Sequence, residues 1–90
     1  MFSVLWVRST LADLAQIRTE TTAFEYQPIR ETIQEIERRL RASPEEEGES
    51  RAAGQRISFV PPLGFTFAGL AEERCVLITH LWSFAKRPST

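Results

Sequence analysis

The chain has 90 residues, of which 26% are charged, and its formal net charge is −1 at pH 7. A chain of this length is expected to form one domain, here residues 1–90, and to bury only about 60–65% of the surface that it exposes when unfolded. The slightly acidic balance argues against non-specific binding to nucleic acid, which depends on many contacts of Lys and Arg to phosphate.

Cysteine and histidine occur once each, as Cys75 and His80. A single cysteine forms no internal disulfide, so we expect a protein of the reducing cytoplasm. Two ligands are too few for a Cys/His zinc site, which needs about four, and neither a metal nor a cofactor is predicted. The apolar run Phe2–Val7 is much shorter than the ~20 residues of a membrane span, so no membrane association is expected.

The first two elements are predicted to be a strand and a short helix. Phe2–Val7 is rich in β-branched and aromatic residues and has the length of a strand. Thr10 and Asp13 have the spacing of a capping box, and apolar residues follow at helical spacing as far as Thr19. This pattern predicts one amphipathic helix that begins at Thr10.

The second helix gives the strongest periodic signal in the sequence. Thr22 and Glu25 have the spacing of another capping pair, but Pro28 is poorly tolerated in a helix interior, which favours a helix with Pro28 in its first turn. Ser43-Pro44 is predicted to end it. Four aliphatic residues at helical spacing predict one buried stripe: Ile29, Ile33, Ile36 and Leu40.

Three strands are predicted after a polar, acidic loop from Pro44 to Gly54. Residues 56–61 and 65–68 alternate in polarity around a turn at 61–64, and their phenylalanines are predicted to be core residues. The sequence leaves the cis or trans state of Pro61-Pro62 open. The last strand, 75–84, is apolar on both sides and is predicted to be central. Simple alternation places His80 on the same side as Ile78 and Trp82.

The predicted fold is α+β, with the element order β-α-α-β-β-β. If the first strand runs up, the first helix is expected to run down and the second up, which sends the three-stranded meander down, up and down. The last strand is then expected to lie antiparallel beside the first. The result is one mostly antiparallel four-stranded sheet with a helical hairpin packed on one face.

The second half of the chain carries a motif that resembles a divergent branch of the RelE/ParE toxin superfamily of bacterial type II toxin–antitoxin modules. The pattern is G-E-S-R, then R-x-x-F-x-x-P-L-G-x-x-F, then R-x-V and a closing aromatic residue. The matching residues are Gly48-Glu49-Ser50-Arg51, Arg56, Phe59, Pro62-Leu63-Gly64, Phe67, Arg74-Cys75-Val76 and Trp82.

The resemblance implies a small cytoplasmic toxin that is neutralised by a cognate antitoxin. RelE-like members cut messenger RNA on the ribosome without a metal, which is the activity that the resemblance implies first. ParE-like members instead inhibit DNA gyrase. The alternative is therefore a non-catalytic protein, either a ParE-like gyrase inhibitor or a degenerate relative that still binds an antitoxin. This alternative is favoured by Thr66, which stands where ribonuclease members commonly carry an arginine.

Metal-free RNA cleavage needs acid–base groups and cations that stabilise the charge of the phosphorane. His80 is the one side chain whose ordinary pKa lies near neutrality, and it is a candidate catalytic residue or a structural histidine. Arg56 is the second catalytic candidate, with a salt bridge to the acidic loop as its structural alternative. The remaining basic candidates are predicted to bind substrate: Arg51, Arg74, Lys86 and Arg87.

Overall fold

A computed structural model describes residues 1–84, so the candidates Lys86 and Arg87 lie outside the described residues. Within these residues the fold has two helices and five strands, with short 3-10 turns between some of them. The elements are β1 (Ser3–Trp6), α1 (Arg8–Thr19), α2 (Ala23–Ala42), β2 (Glu49–Ser50), β3 (Gln55–Val60), β4 (Leu63–Leu70) and β5 (Cys75–Ser83).

The first helix begins earlier than predicted and is not capped by Thr10. Its N-cap is Val7, which has no side-chain cap. Thr10 is fully buried, and its hydroxyl donates to the carbonyl oxygen of Ile78 at 2.7 Å. A carboxylate oxygen of Asp13 accepts from the backbone N–H of Leu81 at 3.2 Å. The two residues of the predicted capping box therefore attach α1 to β5.

The direction of α1 corrects the predicted topology. Thr10 contacts Ile78 and Asp13 contacts Leu81, so α1 advances in the same direction as β5. Only Val7 lies between β1 and α1, and one residue is too short to reverse the chain between a strand and a helix. The first helix consequently continues upwards from β1 rather than running down beside it.

The second helix brings the chain back to the start of β1. The indole N–H of Trp6 donates to Glu37 at 3.1 Å, and the backbone N–H of Phe2 donates to the carbonyl oxygen of Arg41 at 3.0 Å. Because α2 ends beside the start of β1, the strands β3, β4 and β5 run up, down and up. β5 is therefore parallel to β1, with Ser3 opposite Cys75, and the expected antiparallel pairing is wrong.

The N-terminus of α2 lies before Pro28. Thr22 and Glu25 form a complete capping box, in which the Thr22 hydroxyl accepts from the N–H of Glu25 and the Glu25 carboxylate accepts from the N–H of Thr22. Pro28 lies inside the helix, where it removes one backbone donor. The capping pair thus determines where α2 begins, and the prediction that Pro28 lies in the first turn is wrong.

The sheet has five strands in the order β1-β5-β4-β3-β2, and it is mixed rather than mostly antiparallel with four strands. The extra strand, β2, lies in the predicted acidic loop and pairs two residues with β3. β3, β4 and β5 form the predicted antiparallel meander around a cis Pro61-Pro62 turn. The α+β class is confirmed, and β5 is an interior strand with β1 and β4 as its neighbours.

Both helices pack on one face of the sheet, and the periodic stripe of α2 is buried there as predicted. Ile36, Leu40, Phe65 and Phe67 are each fully buried. Ile29 is also buried, and Ile33 packs against the core while partly exposed. The hydrophobic core therefore lies between the helices and this face, and the other face of the sheet is free of both helices.

A β-bulge in β5 changes which side chains reach each face. Phe67 pairs with Ile78 and Thr66 pairs with His80, so Thr79 is an extra residue in the ladder. One extra residue reverses the alternation that follows it. Ile78 and Leu81 are buried, whereas His80 is exposed on the opposite face. The expectation that His80 shares a side with Ile78 is wrong for this reason.

An ion-pair cluster on the outer side of α2 predicts a measurable pH effect. Hydrogen bonds from Arg38 and then Arg39 lower the pKa of Glu35 from 4.5 to about 2. Because this pKa is lowered by folding, the stabilisation is fully present above pH 4.5 and is lost as the pH falls towards 2. We expect Glu35→Gln to reduce the fall in melting temperature over this range, as measured by circular dichroism.

The matched control is Glu31→Gln, which removes another carboxylate from the exposed surface of the same helix. It controls for the change in net charge. An equal reduction of the acid-induced fall in both variants would contradict a specific effect of the Glu35 ion pairs.

Candidate functional site

The face of the sheet that the helices leave uncovered, called the open face here, carries a cluster of three aromatic residues. The Phe59 ring lies 6.1 Å from the Trp82 ring and 6.1 Å from the Phe84 ring, edge to face in both pairs. Phe59 is 52% exposed and Phe84 is 48% exposed. The prediction that Phe59 belongs to the core is therefore wrong, although it holds for Phe65 and Phe67.

Gly64 allows the indole ring of Trp82 to lie against the backbone of β4. A Cβ atom at Gly64 would lie 2.5 Å from the ring of Trp82, which is closer than two carbon atoms can approach. Gly64 and Trp82 are directly opposite each other in the β4–β5 ladder. The glycine thus determines the position of the largest ring in the aromatic cluster.

A chain of four polar side chains, called the polar strip here, lies beside the aromatic cluster on the open face. The hydroxyls of Thr66 and Thr79 are 2.7 Å apart, and the Thr66 hydroxyl is 3.2 Å from Nδ1 of His80. The Thr79 hydroxyl donates to Oε1 of Gln55 at 3.0 Å. The strip carries one titratable group, the exposed imidazole of His80.

Arg56 lies on the other side of the sheet and uses its guanidinium to hold the chain around β2. Its Nε donates to the carbonyl oxygen of Glu47 at 2.8 Å, and its two terminal nitrogens donate to Gly48 O at 2.9 Å and to the Ser50 hydroxyl at 3.1 Å. Arg56 shares the covered side of β3 with the buried residues Ser58 and Val60. The two candidate catalytic residues, His80 and Arg56, therefore lie on opposite faces of the sheet.

The other described basic candidates also lie apart from His80. Arg51 donates to Glu49 and to the carbonyl oxygen of Ser50, beside a cavity of about 270 Å³ at the end of the sheet. Arg74 is exposed in the turn before β5, with a positive φ of 50°. The structure thus places Arg51 and Arg56 near one cavity and does not bring either of them to His80.

Three members of the polar strip, Gln55, Thr66 and Thr79, were not predicted from the sequence as site residues. The alternation of residues 65–68 predicted that Thr66 lies on the side of the strand opposite Phe65. This was the one signal in the sequence for the position of a strip residue. The hydrogen bond between Thr66 and His80 depends on the bulge at Thr79. No turn residue or glycine in the sequence indicates this bulge. The polar strip can bind a ligand by hydrogen bonds, and the imidazole of His80 can exchange a proton with that ligand.

No protein family, curated protein or solved structure matches this chain significantly. The resemblance to the RelE/ParE superfamily therefore stays a prediction that rests on the motif residues. Within residues 1–84, no three His, Cys, Asp or Glu side chains are grouped so that they could bind a metal. None of the helices in this part of the chain has the length and apolar character of a membrane span.

Proposed function

We propose that the chain is the toxin-type component of a bacterial type II toxin–antitoxin module, and that it acts by binding a protein target through its open face. The target class that the resemblance suggests for this mode is DNA gyrase, and a cognate antitoxin would neutralise the protein in the cytoplasm. The observation that carries this proposal is the exposed aromatic cluster of Phe59, Trp82 and Phe84. Exposed aromatic groups of this kind are typical of protein-binding surfaces.

The position of the arginines favours binding over RNA cleavage. A cleaving enzyme must stabilise the charge of the phosphorane with cations. Each of the three side-chain nitrogens of Arg56 donates a hydrogen bond to the segment 47–50. The imidazole of His80 bonds to the hydroxyl of Thr66, and Arg56 lies on the opposite face of the sheet. These features support the non-catalytic alternative.

Induction of the protein in a bacterial host tests the proposal. We expect growth arrest with intact messages and altered plasmid supercoiling. Phe59→Ala should weaken target binding roughly tenfold or more, because truncating an aromatic hot spot of an interface costs ~2 kcal/mol or more and ~1.4 kcal/mol is a factor of ten. The toxicity should fall accordingly at an equal level of folded protein.

The matched control is Phe24→Ala on α2, because Phe24 is 90% exposed and lies away from the sheet. This variant should retain the growth arrest of the original protein. Equal toxicity of the two variants would contradict a role for the aromatic cluster. An absence of toxicity in the original protein would contradict the toxin assignment itself.

The ribosome-dependent endoribonuclease is the second candidate, and the exposure of His80 on the open face is the observation that favours it. Its signature is translation-dependent cleavage of a reporter message that His80→Ala abolishes. Intact messages during growth arrest would contradict this candidate, whereas cleaved messages would contradict the binding mechanism.

A further inference from the structure

The polar strip is a single chain of hydrogen bonds that ends at a histidine. It runs from the amide oxygen of Gln55 through the hydroxyls of Thr79 and Thr66 to Nδ1 of His80, with separations of 3.0, 2.7 and 3.2 Å. Gln55, Thr66 and Thr79 are partly buried, whereas His80 is exposed. The chain therefore leads from sheltered groups to one ring at the surface.

The inventory of donors determines the direction of this chain. A threonine hydroxyl has one hydrogen to donate, and an amide oxygen only accepts. Thr79 donates its hydrogen to Gln55, so it must accept from Thr66. Thr66 has then used its own hydrogen and must accept from Nδ1 of His80. Each step follows from the one before it, so Gln55 determines the direction of all three hydrogen bonds.

We infer that His80 is held with its proton on Nδ1, so that Nε2 presents an unprotonated lone pair to the solvent on the open face. In a neutral imidazole one nitrogen donates and the other accepts, and the hydrogen bond made by one nitrogen determines the state of the other. Gln55, Thr79 and Thr66 are positioning residues in this arrangement. The inference does not depend on the proposed function.

The site that results would bind a hydroxyl or N–H donor of a ligand at Nε2 of His80. It could also accept the proton of a ligand hydroxyl, which would leave an alkoxide on the ligand and an imidazolium on the protein. Nδ1 keeps its proton in both states, so neither threonine hydroxyl has to turn when the proton moves. Such a preorganised acceptor is what general-base chemistry requires.

The experiment is ¹⁵N NMR of the histidine ring in the untagged protein, at a pH where the imidazole is neutral. His80 is the one histidine of the chain, so its two ring nitrogens are identified without further assignment. We expect the spectrum of the original protein to show the proton on Nδ1. Gln55→Glu should give the same result, because a carboxylate, like the amide oxygen, only accepts.

Two variants should break the chain. Gln55→Leu frees the Thr79 hydrogen to turn towards Thr66, and Thr66→Val removes the acceptor for Nδ1, so both should shift the ring to a mixture of the two tautomers. Thr19→Val is the matched control, because its exposed hydroxyl bonds within α1 at 2.9 Å from the Ala15 carbonyl oxygen. The amide spectrum reports whether each variant is folded.

The inference would be overturned by a proton on Nε2 in the original protein. It would also be overturned if the proton were on Nδ1 in Gln55→Glu but not in the original protein, because the amide of Gln55 would then act as a donor in the original protein. If folded Gln55→Leu kept the tautomer of the original protein, Gln55 would not be a positioning residue.

Discussion

Replacing Gly48 by alanine is expected to lower the free energy of unfolding by about 2–5 kcal/mol. Gly48 has a φ of 66°, a conformation that costs about 1–2 kcal/mol for a residue with a Cβ atom. An added Cβ would also lie 2.1 Å from the carbonyl oxygen of Ile57 and 2.8 Å from the Cβ of Ser58. Because Ile57 is part of the β3 backbone, the segment 47–50 would have to move away from β3.

The chain offers a matched control for this substitution at Gly54. Its φ is 73°, yet no atom lies within 4 Å of the position of an added Cβ. Gly54→Ala should therefore cost only the positive φ, about 1–2 kcal/mol. Urea denaturation of both variants measures the difference. Equal losses would show that the close approach of Gly48 to β3 does not contribute to stability.

Replacing Arg56 by alanine is expected to lower the free energy of unfolding by about 2–3 kcal/mol, because its charged guanidinium donates to three groups of the segment 47–50. The partial exposure of these bonds keeps the value below the sum of three separate bonds. Arg56→Lys should retain part of the stability, since an ammonium keeps the charge without the planar fork that reaches three acceptors. Urea denaturation is again the measurement.

Arg51→Ala is the matched control, because Arg51 lies in the same region with a side chain that is 54% exposed. Its ion pair with Glu49 is a surface pair, and the expected loss is under about 0.5 kcal/mol. Comparable losses in the two variants would contradict the anchoring role of Arg56. If Arg56→Ala abolishes an activity, that result must be corrected for the folded fraction before it is interpreted as chemistry.

The sequence predicted those parts of the fold that depend on local periodicity. The stripe from Ile29 to Leu40 was predictable because its 3.6-residue repeat is a property of α2 alone. The direction of β5 relative to β1 was not predictable in the same way, because it depends on the single connecting residue Val7. β2 was missed because two polar residues give no periodic signal, and its position depends on pairing with β3 and on the hydrogen bonds of Arg56.

The candidate site was predicted in part, through His80 and Arg56. Their separation on two faces follows from the alternation along β3 and from the bulge at Thr79. A bulge is decided by how neighbouring strands pair, and the residues around Thr79 look like an uninterrupted strand. The residue types were therefore sufficient to identify the candidates. Which of them lie together could be known only from the pairing of β4 with β5.

The pairing of β1 with β5 has a consequence for synthesis, because it joins segments about 70 residues apart. During synthesis α1 and α2 can form before β5 has been made. Until β5 pairs, β1 and one edge of β4 lack their neighbouring strand, and unpaired strand edges of this kind are prone to associate with other chains. Because β5 lies between β1 and β4, its docking is expected to be the late step that closes the sheet.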